Sequence, residues 1–288
     1  METIGTLWLY LAFFGLVAVM LIIDFLGFRN SQGQEVKVKT AACWSIAWVS
    51  VAALFGGGLW LYLQQTAGVA IANTKVMEYF AGYLLEKSLA VDNVFVWMMI
   101  FGFFAVPLEL QRRVLLYGIV GAIVLRTIMI FAGSWLISEF QWLLYFFGAF
   151  LVITGIKMAW FAEHEANLEK NPLVLWIRRH YPVTATLEGE RFFVMRNGVR
   201  MMTPLFLALV LVEISDVIFA VDSIPAIFAI TTDPFIVFTS NIFAILGLRS
   251  LYFALSGVMQ YFKYLKYALA FILSFIGIKM CINEFAKE

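Results

Sequence analysis

Five carboxylates set in otherwise apolar sequence, Glu86, Asp92, Glu213, Asp216 and Asp222, are the residues of this chain best suited to chemistry. Four of them come as a duplicated pair. Residues 86–92 read EKSLAVD and residues 216–222 read DVIFAVD, so Glu86 answers Asp216 and Asp92 answers Asp222. A carboxylate held in hydrocarbon is costly enough that it marks an ion pathway or has a partner. Asn93, Ser223 and Asn241 add neutral oxygen donors nearby. Neither His nor Cys falls in the repeated cores, so a ligand set drawn from them is oxygen-only. Such a set suits Mg, Ca or Mn and disfavours Cu(I) or a structural Zn.

The spacing restricts how these groups could act together. Six residues along an α-helix rise about 9 Å and turn about 240° beyond the first position. Glu86 and Asp92 therefore cannot chelate one ion from a single straight helix. They require a helix interrupted between them, or a partner from the other copy. Pro225, three residues after Asp222, deprives the Val221 carbonyl of its helical hydrogen bond, and irregular backbone at membrane depth lines cavities. The nearest bases are Lys87, Arg126 and Arg249. Five acids against three bases leave two negative charges unmatched. A divalent cation would balance them, as would two protons, and exchange between those states is the basis of a cation/proton antiporter. In the competing reading each base neutralises one acid and the polar seam only holds the two copies together.

The elements that must position these groups are membrane helices. The chain is 63% hydrophobic and 14% charged, against roughly 45–50% and 25% for soluble domains. A net charge of +1 gives no case for nucleic acid as a partner. Cys43 and Cys281 are too few for a disulfide framework or a thiolate cluster. No nucleophile paired with a base and no zinc-protease spacing is present, so the expectation is not an enzyme. A span takes about 20 apolar residues, and such stretches fall near 4–28, 41–63, 77–104, 114–137, 142–162, 204–230, 235–258 and 264–283. The fold class is thus all-α, a polytopic membrane protein of about eight transmembrane helices. The third and sixth spans, which carry most of the charge, are expected to score poorly on hydropathy.

The duplication extends downstream of the acids. AIVLRT at 122–127 answers AILGLRS at 244–250, and GIKM at 155–158 recurs at 277–280. Each copy holds three spans, 77–162 and 204–283, and an odd number reverses the second copy in the bilayer. Two inverted three-helix repeats meeting at charged, discontinuous helices are a known basis for alternating access. Residues 1–63 form two accessory helices, in which Gly56, Gly57 and Gly58 suit close helix contact. Lys and Arg concentrate near 29–40, 105–113, 163–203 and 259–266. By the positive-inside rule these connections are cytoplasmic and both termini lie outside. The 163–203 segment, with His164 and His180, reads as a solvated loop with room for one amphipathic helix. Asp24, Glu78, Lys157 and Lys279 lie near span ends, where long side chains reach the interface.

The motifs EKSLAVDNVFVW at 86–97 and VEISDVIFAVDSIPAIFAITTDPFIVFTSNIFAILGLRSLYF at 212–253 resemble the TerC family of membrane proteins, and one bacterial branch of it in particular. The likeness extends to LQRRVLLYG at 110–118 and LRTIMIFAGSWLIS at 125–138. It implies a bacterial inner-membrane protein of manganese homeostasis, in a family associated with Mn(II) export, alkaline-pH response and, by name, tellurium resistance. Carried onto this sequence, the family's acidic motifs fall on Glu86, Asp92, Asn93, Glu213, Asp216 and Asp222. Members of that branch continue into another hydrophobic segment beyond the position of Glu288, which would place the C-terminus inside. The expectation is one transmembrane domain that exports a divalent cation, Mn(II) before others, with protons as the candidate coupling ion and no resident cofactor. A non-transporting scaffold or sensor of metal, tellurite or pH stress is the alternative.

Overall fold

The structure, a computed structural model, describes residues 3–29, 38–140, 142–160, 172–196, 198–256 and 265–285. Its order is α1 (Leu7–Arg29), α2 (Val38–Thr66), α3 (Val69–Phe103), α4 (Leu108–Glu139), α5 (Leu143–Trp160), α6 (Pro172–His180), β1 (Phe193–Arg196), β2 (Val199–Met202), α7 (Pro204–Phe228), α8 (Pro234–Ile245), α9 (Leu248–Leu255) and α10 (Leu265–Phe285). Every expected span is met by a helix. Among the described residues five stretches are long and apolar enough to cross a membrane: α1, α2, α4, α7 and the α8–α9 run. Helix α3 has the length, at 35 residues, but is not among the five, as its charges foretell. Helix α7 is among them, contrary to expectation, because its acids are offset by Leu, Val, Ile and Phe over most of its 25 residues. Exposed Leu54, Leu84, Ile128, Ile153, Ile218 and Phe271 give α2, α3, α4, α5, α7 and α10 each an apolar outer residue, as a membrane-facing surface requires.

The centre of the bundle is α8, every residue of which except Pro234 is buried. Its start is set locally. Pro234 sits at the first helical position, and the Asp233 carboxylate accepts from the Phe235 backbone N–H at 3.0 Å. Its end is the interruption of the bundle. Leu246 is extended and Gly247 has φ +82°, a left-handed conformation that glycine adopts without strain. A methyl group there would also lie 2.5 Å from the Trp48 ring of α2. The discontinuity expected near Pro225 is thus found elsewhere. Helix α7 continues through Pro225 to Phe228, and α3 is unbroken from Glu86 through Asp92.

Helix α3 packs along α8, α4 along α7, and α5 against α10. These contacts exchange partners under the sequence correspondence. A methyl group on Gly155 would meet the Ala270 carbonyl oxygen at 2.9 Å, and one on Gly277 would meet that of Gly148 at 2.8 Å. Gly155 corresponds to Gly277 in the GIKM repeats, and Gly148 precedes the one as Ala270 precedes the other, by seven residues. Likewise Gly82 of α3 abuts Ser240 of α8, while Gly118 of α4 abuts Val212 of α7. Small residues at these crossings let backbones approach closely where burial of apolar area from water supplies no drive.

Two expectations for the flanking segments change. Helices α1 and α2 do more than pack: α2 lies on α3 and α9, and α1 delivers Asp24, buried at 4% exposure, to Arg249. Asp24 is therefore not an interfacial residue. Of the three glycines in α2 only Gly56 is closely approached, by the Phe80 ring, whereas Gly57 and Gly58 face open space. Within 163–203, α6 is followed by an antiparallel hairpin pairing Phe193 with Met202 and Arg196 with Val199, a small β element not expected from the sequence. The hairpin segment is tied to α4 by Arg113–Glu190 at 3.0 Å and by the Arg113 guanidinium over Phe192. His180 lies against the Trp176 ring at the surface, tilted by 31°, and His164 lies outside the described residues.

Candidate cation site

The buried seam is organised around Arg126 of α4. Its guanidinium donates to both oxygens of Asp216, Nε to Oδ2 at 3.0 Å and Nη2 to Oδ1 at 2.8 Å. Nη1 donates to Glu86 and, at 3.3 Å, to Oδ1 of Asn241. Arg126, Glu86 and Asp216 are each about 1% exposed. The planar fork of arginine suits bidentate pairing with a carboxylate, and here it joins equivalent acids from the two copies. Asn93 adds a 3.3 Å bond from Nδ2 to Oδ1 of Asp216. The sequence brings Glu86 to Asp216, but around a fixed arginine.

Beyond this knot lies a cavity of about 520 Å³, lined among others by Glu86, Asp92, Asn93, Arg126, Asp222 and Ser223. Its lining comes mostly from α3 and α7, with α4, α5 and α10 contributing, so each copy supplies an aspartate. Asp222 is within 3.5 Å of the Thr154 hydroxyl of α5, and Lys157 also reaches the lining. Among the described residues, Glu86 Oε2, Asn93 Oδ1 and Ser223 Oγ are buried and make no hydrogen bond within the protein. Buried polar atoms without partners carry a desolvation cost of about 1–3 kcal/mol each. The same cavity therefore offers oxygen ligands that gain by meeting an ion or water.

The six expected site residues are not gathered into one cage. Glu213 stands apart, half-buried against Gly121, where a methyl group would lie 2.0 Å from its carboxylate. Among the described residues no three of His, Cys, Asp or Glu are close enough together to hold a metal ion. The bases also divide differently from a one-acid-each scheme. Arg126 takes two acids; Arg249 pairs with Asp24 at 2.9 Å; and Lys87 donates to the Ala244 carbonyl at 3.1 Å. Thr154 and Lys157 were missed. Thr154 corresponds to Ile276 in the second copy, so the duplication gave no signal for it, and Lys157 reads as interfacial from its place at a span end.

A mainly helical bundle with an apolar exterior and a charged internal cavity defines a polytopic integral membrane protein of the all-α class. Residues 71–288 match the integral membrane protein TerC family, and the chain belongs to that family. It is 57% identical over 285 residues to a candidate membrane-bound redox modulator named Alx from Photorhabdus laumondii, covering 99% of this chain and 89% of that one. The Alx protein of Escherichia coli K12 is 58% identical with the same coverage. A membrane protein of Myxococcus xanthus is 48% identical over 290 residues, covering all of this chain and 88% of its own. No solved structure matches the chain.

Proposed function

We propose that the protein exports a divalent metal cation, Mn(II) in preference, across the bacterial inner membrane by alternating access, with protons exchanged in return. The observation that carries this reading is the cavity between α3 and α7, which places an aspartate from each copy beside partnerless buried oxygens. Charge supports it. Glu86, Asp92 and Asp222 line the cavity, and Asp216 is joined to it through Arg126. Against these four acids stand Arg126 and Lys157, which leaves two negative charges for a divalent ion or two protons. An oxygen-only lining selects hard cations over Cu(I). Metal capture requires the cavity to close, drawing Asp92 and Asp222 onto the ion from opposite walls. The partner exchange of α3–α8 with α4–α7 supports two inverted repeats as the moving parts.

A second reading, a membrane scaffold or sensor without transport, is favoured by one observation: Arg126 already pairs with both Glu86 and Asp216, as in a structural ion triad. The modulator role in the relatives' name also falls here; the two cysteines of this chain, Cys43 and Cys281, are both free. Cells lacking their other manganese exporters distinguish the two. Expression of this protein should lower cellular Mn(II) and give little protection against copper. Unchanged manganese despite confirmed membrane insertion supports the scaffold.

A further inference from the structure

Among the described residues of the repeated cores, Lys87 is a partly buried base that is drawn to neither the acids nor the cavity. It follows Glu86 in α3, yet the two side chains address different helices, Arg126 of α4 and the end of α8. Glu86 reaches Asn241 through Arg126, and Lys87 Nζ donates to the carbonyl oxygen of Ala244 at 3.1 Å. Among the described residues Lys87 forms no ion pair. Asn241 and Ala244 are three residues apart and share a face of the last turn of α8. Helix α3 thus reaches that turn directly through Lys87 and, by way of Arg126 of α4, through Glu86.

The last turn needs such a partner. In an unbroken helix the Ala244 carbonyl would accept from Leu248, but Leu248 begins α9 on the far side of the left-handed Gly247. The final carbonyls of a helix have no intrahelical donors and carry partial negative charge. In a bilayer interior no water is at hand to satisfy them. Interrupted helices in membrane transporters meet this need with a small cation held by the exposed carbonyl ends. We propose that Lys87 is a tethered cation occupying a small alkali-cation position at the α8–α9 break. The protein therefore carries its own monovalent ion, and the break stays satisfied whatever the central cavity holds.

The inference concerns the break and stands whether or not the cavity transports metal, so its test reads stability. Thermal unfolding of the purified wild type, Lys87→Met and Lys87→Arg is compared in N-methylglucamine, Li⁺, Na⁺ and K⁺ chlorides at one ionic strength. Met removes the charge at similar length. In N-methylglucamine Lys87→Met should unfold about 2–4 °C below wild type, and one of the alkali cations should restore at least half of that loss with a saturable concentration dependence. Wild type and Lys87→Arg should be indifferent to the cation. Equal unfolding of Lys87→Met in all four salts overturns the proposal, as does the same alkali stabilisation of wild type. Failure of both Lys87→Met and Lys87→Ala to fold when prepared throughout in the alkali salts overturns it too.

Discussion

At the scale of the residue, Arg126 and the two cavity aspartates have opposite expected signatures. Removing Arg126 leaves Glu86 and Asp216 buried without a cation, and breaking one side of a buried pair typically costs about 3–5 kcal/mol. Arg126→Met should therefore yield little folded protein in detergent, while Arg126→Lys, unable to bridge bidentately, should fold with a lowered Tm. Asp92→Asn and Asp222→Asn keep the volume and remove a charge from a cavity wall. Both should remain monodisperse by size-exclusion chromatography and lose nearly all metal flux. The correspondence of Glu86 with Asp216 was legible because the sequence states the motif twice. That an arginine would stand between them was not, since a partner 90 residues away is chosen by helix packing.

At the scale of the element, the interruption of the core helix was placed wrongly from sequence. Pro225 is the louder signal, yet a proline late in a helix costs one hydrogen bond and α7 runs on past it. Gly247 is the quieter one. It is the residue by which AILGLRS exceeds its counterpart AIVLRT, and that insertion puts the break in the second copy alone. Gly247→Ala meets both a left-handed backbone, worth about 1–3 kcal/mol, and the Trp48 ring at 2.5 Å. It should lower the Tm measurably, and pairing it with Trp48→Ala should recover the steric part and leave the backbone part. The opposite end of α8 is held by side chains that sequence gives no reason to join. Asp233 accepts from the Thr3 hydroxyl at 2.8 Å and the Ile4 N–H at 3.1 Å. Lys75 lies 3.0 Å from Glu78, which accepts from Thr231 at 2.6 Å. Asp233→Ala should free the segment before α1, read as faster hydrogen exchange at Ile4 and Gly5 with little change in α7.

At the scale of the whole molecule, class and helix order were legible because a bilayer imposes length and apolarity on every span. The fit of the two copies shows only when contacts are compared: Gly155 against Ala270 and Gly277 against Gly148 are the same contact with the roles exchanged. The small hairpin and the role of α1 in partnering Arg249 were not legible, because neither has a repeat or a periodicity to announce it. Inverted copies require the turn at Thr232 and the segment 184–190 to face opposite compartments. A cysteine at Thr232, which is exposed, should be labelled by an impermeant maleimide from outside only, and one at Glu188 only after the inner face is opened. Labelling of both from one side would contradict the arrangement.

The central claim, that the cavity between the copies passes a divalent ion, is tested most directly by reconstituting the purified protein in liposomes and measuring Mn(II), Mg(II), Ca(II) and Zn(II) flux with and without a pH gradient. The account predicts Mn(II) flux from the protein alone, accelerated by an opposing proton gradient and absent in folded Asp92→Asn and Asp222→Asn. No flux of any of the four ions from correctly inserted wild type, or undiminished flux from both variants, would contradict it.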